Sequence, residues 1–181
     1  MKKDFCLNPH WSHTKVSALI VILILFSGCT NTSTKATRAQ TAPDLKNVTL
    51  NITDLAGRPA RLVNGMFKGD HLIINVVREA AADLNQDGLI DGAIIIFENS
   101  GGSGNFRELC LLLNNGNHLI QADQAYIGDR IGITDLNINK NVITINYLDR
   151  NKNDPYSIAP YIKKKVCYRV KGGKLDKLNI K

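Results

Sequence analysis

From Val48 onward the chain is a series of short runs in which apolar and polar residues alternate or apolar residues follow one another, divided by Gly, Asn, Asp and Pro. Alternation with a period of two is the mark of a strand with one buried face. V-T-L-N-I-T alternates, Ala56-Gly57-Arg58-Pro59 turns, and R-L-V follows. His71 to Val77 is apolar and β-branched; Ile90 to Glu98 and Phe106 to Leu113 are strong strand candidates. Asn114-Asn115-Gly116-Asn117 then predicts a hairpin, because Asn and Gly tolerate the positive φ of tight turns. Leu119 to Ile127, Ile131 to Ile138, Val142 to Leu148 and Val166 to Val170 continue the series, with turns at Asn139-Lys140-Asn141 and Gly172-Gly173. Ile143, Ile145 and Tyr147 share one face of their strand and Thr144 and Asn146 the other, which argues for an antiparallel sheet buried on one side. A short helical turn is expected over Arg78 to Leu84. The expected fold is all-β or β-dominated: a single antiparallel meander, closed as a barrel or folded as a sandwich. No fixed-period repeat points to a solenoid or propeller.

The pattern before Val48 is different. Lys2, Lys3 and Lys15 precede the uncharged apolar run Val16 to Phe26, which ends in Ser27-Gly28-Cys29. The run is shorter than the roughly 20 residues a stable bilayer-spanning helix needs, so residues 1–28 read as a signal peptide. L-F-S-G-C resembles the bacterial lipobox, with Phe26 in place of the usual aliphatic residue. The resemblance implies fatty acylation, such as palmitate, at Cys29. Thr30 follows, and the absence of Asp there resembles the signal for transfer to the outer membrane where a cell has two. Residues 29–46, rich in Thr and Ser and without periodicity, read as a flexible tether, and residues 47–181 as a single β-rich domain.

Composition narrows the function classes. A chain of 181 residues with 44% hydrophobic content supports one cored domain. Its formal charge of +7 falls to +5 once residues 1–28, with three lysines and one aspartate, are removed. The excess is dispersed, Lys163-Lys164-Lys165 being the only run, and lacks the interleaved aromatics of a nucleic-acid platform. No nucleic-acid partner is expected. N-S-G-G-S-G-N, Asn99 to Asn105, has neither the spacing of a nucleophile elbow nor the lysine of a phosphate loop, and reads as a hairpin connection or a ligand rim. His71 and His118 are isolated and read as strand-end residues. Asp129-Arg130 and Asp149-Arg150 read as salt-bridge formers between strands. Cys110 and Cys167 remain in the mature chain; an oxidising compartment permits a disulfide between them, and two buried thiols are the alternative.

Only A-D-L-N-Q-D-G-L-I-D-G, Ala82 to Gly92, has the spacing of a metal loop. Asp83, Asn85, Asp87, the carbonyl of Leu89 and Asp91 fit positions 1, 3, 5, 7 and 9 of a calcium-wrapping chain, with Gly88 at the bend. Ile94 occupies the place of the bidentate Glu, so any Ca²⁺ is bound weakly and structurally. The alternative is a polar turn in which the same side chains cap backbone amides.

The succession L-V-N-G (Leu62 to Gly65), A-D-L-N-Q-D-G-L-I-D, G-G-S-G-N-F (Gly101 to Phe106), G-D-R-I (Gly128 to Ile131), N-Y-L-D-R (Asn146 to Arg150) and V-K-G-G-K-L (Val170 to Leu175) resembles a family of uncharacterised exported bacterial proteins. The resemblance implies an exported domain and no substrate. The expectation is a lipid-anchored envelope protein of binding or structural type, facing the periplasm or the cell exterior, with the membrane and an envelope protein or glycan as partners. An envelope hydrolase, drawing on Asp83, Asp87, Asp91 and Glu98, and a periplasmic enzyme inhibitor are the alternatives.

Overall fold

The computed structural model describes residues 42–53 and 57–179. The leader, Cys29 and the tether as far as residue 41 lie outside the described residues. Among the described residues there are eleven strands and no helix, and each neighbouring pair of strands is antiparallel. Strands β1 (Thr49–Thr53) and β2 (Pro59–Arg61) form a hairpin. Five strands make the larger sheet: β3 (Met66–Lys68), β4 (Ile73–Ala82), β5 (Asp91–Asn99), β6 (Phe106–Asn114) and β7 (Leu119–Asp129). The smaller sheet is β8 (Gly132–Asn139), β9 (Val142–Asp149), β10 (Ile162–Lys171) and β11 (Lys174–Leu178). Both sheets run in chain order, as a meander should.

The unbroken apolar runs of β5 and β6 now have a cause. Ala93, Ile95, Leu109 and Leu111 point to one face, where they meet Ile143 and Ile145 of β9 and Val166 and Tyr168 of β10. Ile94, Ile96, Cys110 and Leu112 point to the other, where Leu50, Ala60 and Leu62 of the β1–β2 region cover them. A strand buried on both faces shows no polar alternation. Each of the buried Ile and Leu side chains among them contributes about 1.5–3 kcal/mol by leaving water. The two larger sheets thus stack on one core as a sandwich, with the hairpin on the outer face of the larger sheet. Leu45 also joins that outer core and lies so close to Gly92 that a Cβ there would sit 2.2 Å from Leu45 Cδ2.

Two sequence expectations are corrected. Arg78 to Ala82 is not a helical turn but the second half of β4, paired with Ile95 to Asp91 after a bulge between Val76 and Arg78. Local helix preference in Glu79-Ala80-Ala81-Ala82 yields to ladder pairing with the most buried strand. The second correction concerns the cysteines. Cys110 is a free, buried thiol, so the Cys110–Cys167 disulfide does not form. Parity explains it: Cys110 faces the hairpin side of the larger sheet, whereas the neighbours of Cys167, Val166 and Tyr168, face the inter-sheet core and Cys167 points away from it. The whole inter-sheet core separates the two sulfurs, far beyond disulfide reach. Cys167 Sγ lies 3.4 Å from Thr144 Oγ1 on the paired strand.

Candidate functional site

Polar side chains gather at both ends of the larger sheet. At one end the aspartate loop, 83–90, joins β4 to β5. Leu84 anchors it, wholly buried in the inter-sheet core. Asp91 is also wholly buried and faces inward: Oδ2 accepts the backbone N–H of Leu84 (2.9 Å) and Asn85 (3.2 Å), and Oδ1 that of Asn114 (2.9 Å). Asp83 accepts the N–H groups of Asp87 (3.1 Å) and Gly88 (2.9 Å), and Asp87 Oδ1 accepts that of Leu89 (2.8 Å). Asn85 accepts the N–H of Asp87 (3.0 Å) through Oδ1 and donates from Nδ2 to Asp87 Oδ2 (2.8 Å). Gln86 at φ 66° and Gly88 at φ 87° carry the reversal. The five predicted ligands are therefore close in sequence and space, with the Asp91 carboxylate committed to backbone amides, that of Asn85 among them. Among the described residues no group of three or more His, Cys, Asp or Glu side chains is gathered so as to hold a metal ion.

At the opposite end three segments distant in sequence meet: the β5–β6 turn around Asn99 to Asn105, the β7–β8 turn at Arg130, and the β9–β10 connection through residues 150–161. Asn99 laces the first turn, donating from Nδ2 to the carbonyls of Gly102 (3.2 Å) and Gly104 (2.6 Å) and accepting the N–H of Gly101 (2.9 Å) at Oδ1. Asp129 Oδ1 accepts the N–H of Asn105 (2.8 Å), and the N–H of Arg130 reaches Asn105 O (2.8 Å). Arg130, at φ 50°, breaks the strand alternation, so its guanidinium returns to its own neighbour Asp129 (2.5 Å) and reaches the Ser103 carbonyl. Asp129 and Arg130 thus pair with each other. Asp149 instead bridges to Lys164 on the adjoining strand (2.7 Å).

The third segment is bound to the second through arginine and tyrosine. Arg150 donates from Nη1 to Arg130 O (2.9 Å) and from Nε to Ile158 O. The Tyr156 ring lies 4.1 Å from the Arg130 guanidinium and 5.9 Å from that of Arg150. Tyr161 donates its hydroxyl to Asp154 Oδ2 (3.0 Å) and accepts Asn151 Nδ2. Yet Tyr126, Tyr156 and Tyr161 remain 57%, 66% and 53% exposed, and Ile158 is exposed beside them. The other two of the five tyrosines, Tyr147 and Tyr168, pack in the inter-sheet core, so the exposed three are an exception to be explained.

Between the ends, on the hairpin face of the larger sheet, lie Glu98 and Glu108. Ile96 faces Glu108 and Glu98 faces Phe106 across β5 and β6, which makes the glutamates diagonal neighbours on one face. Burial raises the pKa of Glu98. Burial and the charge of Glu98 raise that of Glu108, against a hydrogen bond from Gln124 Nε2. Burial, with both glutamates adding, pushes the Cys110 thiol up as well, leaving it inert. Gln124 in turn accepts from Gln121 Nε2 (2.8 Å), whose Oε1 accepts the N–H of Asn51 (2.7 Å).

Sequence reasoning named Glu98 but missed Glu108, and missed Tyr126, Tyr156 and Tyr161. The signal for Tyr156 and Tyr161 was N-D-P-Y-S-I-A-P-Y, two prolines and two tyrosines in a stretch without strand pattern. His118 lies immediately before β7 and His71 two residues before β4, at strand ends as expected. No protein-family model matches this chain, nor does any curated protein or solved structure.

Proposed function

We propose that the chain is a lipid-anchored bacterial envelope protein that acts by binding, with the arginine and tyrosine end of the sandwich as its binding face. Cys29 carries the lipid, the tether holds the domain clear of the headgroups, and the outer membrane is the destination where a cell has two. The observation that carries the reading is the convergence of three separate segments on one rigid end that keeps three tyrosines in solvent. Tyr and Arg supply large contact area with a polar tip, and immobilised side chains lose little entropy when a ligand arrives. The Asn99 to Asn105 turn, made wholly of Asn, Ser and Gly, adds adaptable hydrogen bonding beside them.

Two measurements test this in living cells. Labelling with a palmitate analogue should tag the protein and fail in Cys29→Ser; persistence of the label in that variant overturns the anchor. A photo-crosslinking amino acid at Tyr156 should form adducts that the same residue at His118, at the far end, does not. Equal silence at both positions rejects the binding face.

A second reading rests on Glu98 and Glu108. Two carboxyls on one sheet face, with the pKa of both raised by burial, have the chemistry of a proton donor and its partner in an envelope hydrolase. Loss of glycan or peptidoglycan cleavage in Glu108→Gln, with the fold intact, identifies that activity; a parent protein inactive in the same assay removes it.

A further inference from the structure

We propose that the arginine and tyrosine end binds an anionic glycan, a polymer of sugar rings that also carries free carboxylates, as peptidoglycan does. The inference rests on the binding reading above and names the ligand of that face. The exposed rings of Tyr126, Tyr156 and Tyr161 offer flat apolar surface with a polar rim, which suits the C–H faces of pyranose rings bearing hydroxyls at their edges. Their surroundings are amides and carbonyls of small polar residues, the partners that sugar hydroxyls need.

Charge at this end points the same way. Asp129 offsets Arg130 and Asp149, whose main partner is Lys164, also lies beside Arg150, while the Arg150 guanidinium itself is directed at the carbonyls of Ile158 and Arg130 and the Asp154 carboxylate is taken by Tyr161 and the Asn151 N–H. A planar guanidinium beside aromatic rings is matched by a carboxylate on the ligand. Ile158 is the one large aliphatic side chain exposed in the 150–161 connection, beside the polar aromatics Tyr156 and Tyr161. A stable protein interface needs a drier, more apolar centre, and a bilayer needs an apolar insertion or a larger basic cluster.

The full-length protein in detergent micelles should co-sediment with purified peptidoglycan sacculi. Soluble muramyl peptides should compete, and uncharged chitin oligomers should compete at least tenfold less well. Tyr156→Ala and Arg150→Gln should each weaken sacculus binding about tenfold or more, while Tyr156→Phe, which keeps the ring, should bind like the parent. Melting curves on the same samples show whether a variant has lost its fold; should Tyr156→Ala unfold, Tyr161→Ala and the competition series decide. Binding that survives both ring and guanidinium changes, or equal competition by chitin, overturns the proposal. So does binding to phosphatidylglycerol vesicles with none to sacculi. In cells the Tyr156 adduct should collapse on lysozyme digestion. A discrete lysozyme-resistant protein adduct defeats the glycan inference and leaves the binding face standing, whereas absence of both sacculus binding and adducts defeats both.

Discussion

The two ends of the larger sheet invert what their sequences advertise. The aspartate end looks like a site: four side-chain ligands and a glycine within nine residues. Folded, its carboxylates accept amides of the loop itself and of Asn114, and its hydrophobic anchor, Leu84, sits in the core. The arginine end looks like three unrelated turns. Folded, it is a laced platform whose exposed tyrosines have no structural need of solvent. The difference is one of contact order. A local motif can satisfy itself, and a buried carboxylate must do so, whereas groups brought together over 50 residues meet only when the sheet registers are correct.

Substitutions should separate the ends most sharply in stability. Asp91→Ala strands three N–H groups, the buried one of Leu84 and the part-buried ones of Asn85 and Asn114, and should cost about 3–5 kcal/mol in urea unfolding. Asp91→Asn should fall between, because its single carbonyl oxygen serves one side while its NH₂ opposes a donor on the other. Arg130→Ala, in a partly exposed pair and ring contact, should cost only about 1–2 kcal/mol. Equal costs at Asp91 and Arg130 would mean that the aspartate loop is not the structural latch described.

The same contrast explains what the sequence made legible. Alternation and apolar β-branched runs located most strands of the two sheets, though not β3, and alternation assigned Ile143, Ile145 and Tyr147 to the core side correctly. It misplaced Arg78 to Ala82, where three alanines carry little strand signal and only pairing with β5 decides. It shortened β10, since Lys163-Lys164-Lys165 hides its parity behind uniform charge, and passed over β11, where Lys174, Asp176 and Lys177 are exposed. Strand parity already argued against Cys110–Cys167, but using it required knowing which faces the two sheets share. Tyr156 beside Arg130 and Arg150 was beyond reach, because no spacing encodes which turns meet.

A smaller effect should appear at the glutamate pair between the ends. A carboxyl whose pKa is raised on folding makes the native state the one that binds more protons, so stability declines as pH rises from the ordinary value near 4.5 through the raised one and stays lower above it. Glu108→Gln removes that decline. The variant should be more stable than the parent at pH 7 by under about 1 kcal/mol, the pair being half exposed and screened. The gap should close toward pH 4. Asp149 acts with the opposite sign: burial works against it, but hydrogen bonds from Lys164 and the Arg150 N–H leave its pKa lowered, so its contribution is lost as pH falls below the ordinary 3.8. A Glu108→Gln curve parallel to the parent from pH 4 to 8 would show that burial does not strain the pair.

A calcium titration tests how far the aspartate loop is closed to a ligand. Asp91 is committed to three amides, so an ion approaching from solvent meets Asp83, Asn85, Asp87 and the Leu89 carbonyl, fewer than the six to eight oxygens Ca²⁺ takes. The affinity belongs in the weak range, with a dissociation constant on the order of 10⁻³ M. Stabilisation grows as RT ln(1 + [L]/Kd), about 1.4 kcal/mol at tenfold excess, which for a domain of this size raises the melting temperature by roughly 5 °C. A titration to about 10 mM should therefore produce a shift no larger than that, smaller with magnesium, which demands tighter octahedral geometry. Asp87→Ala should abolish the response and Asp149→Ala, outside the loop, should leave it. A larger shift would require Asp91 to leave its amides and rejoin the other ligands, and Asp91→Asn would then remove most of it. A melting curve indifferent to calcium makes the loop a polar turn alone, held by the hydrogen bonds that its own side chains make to its backbone.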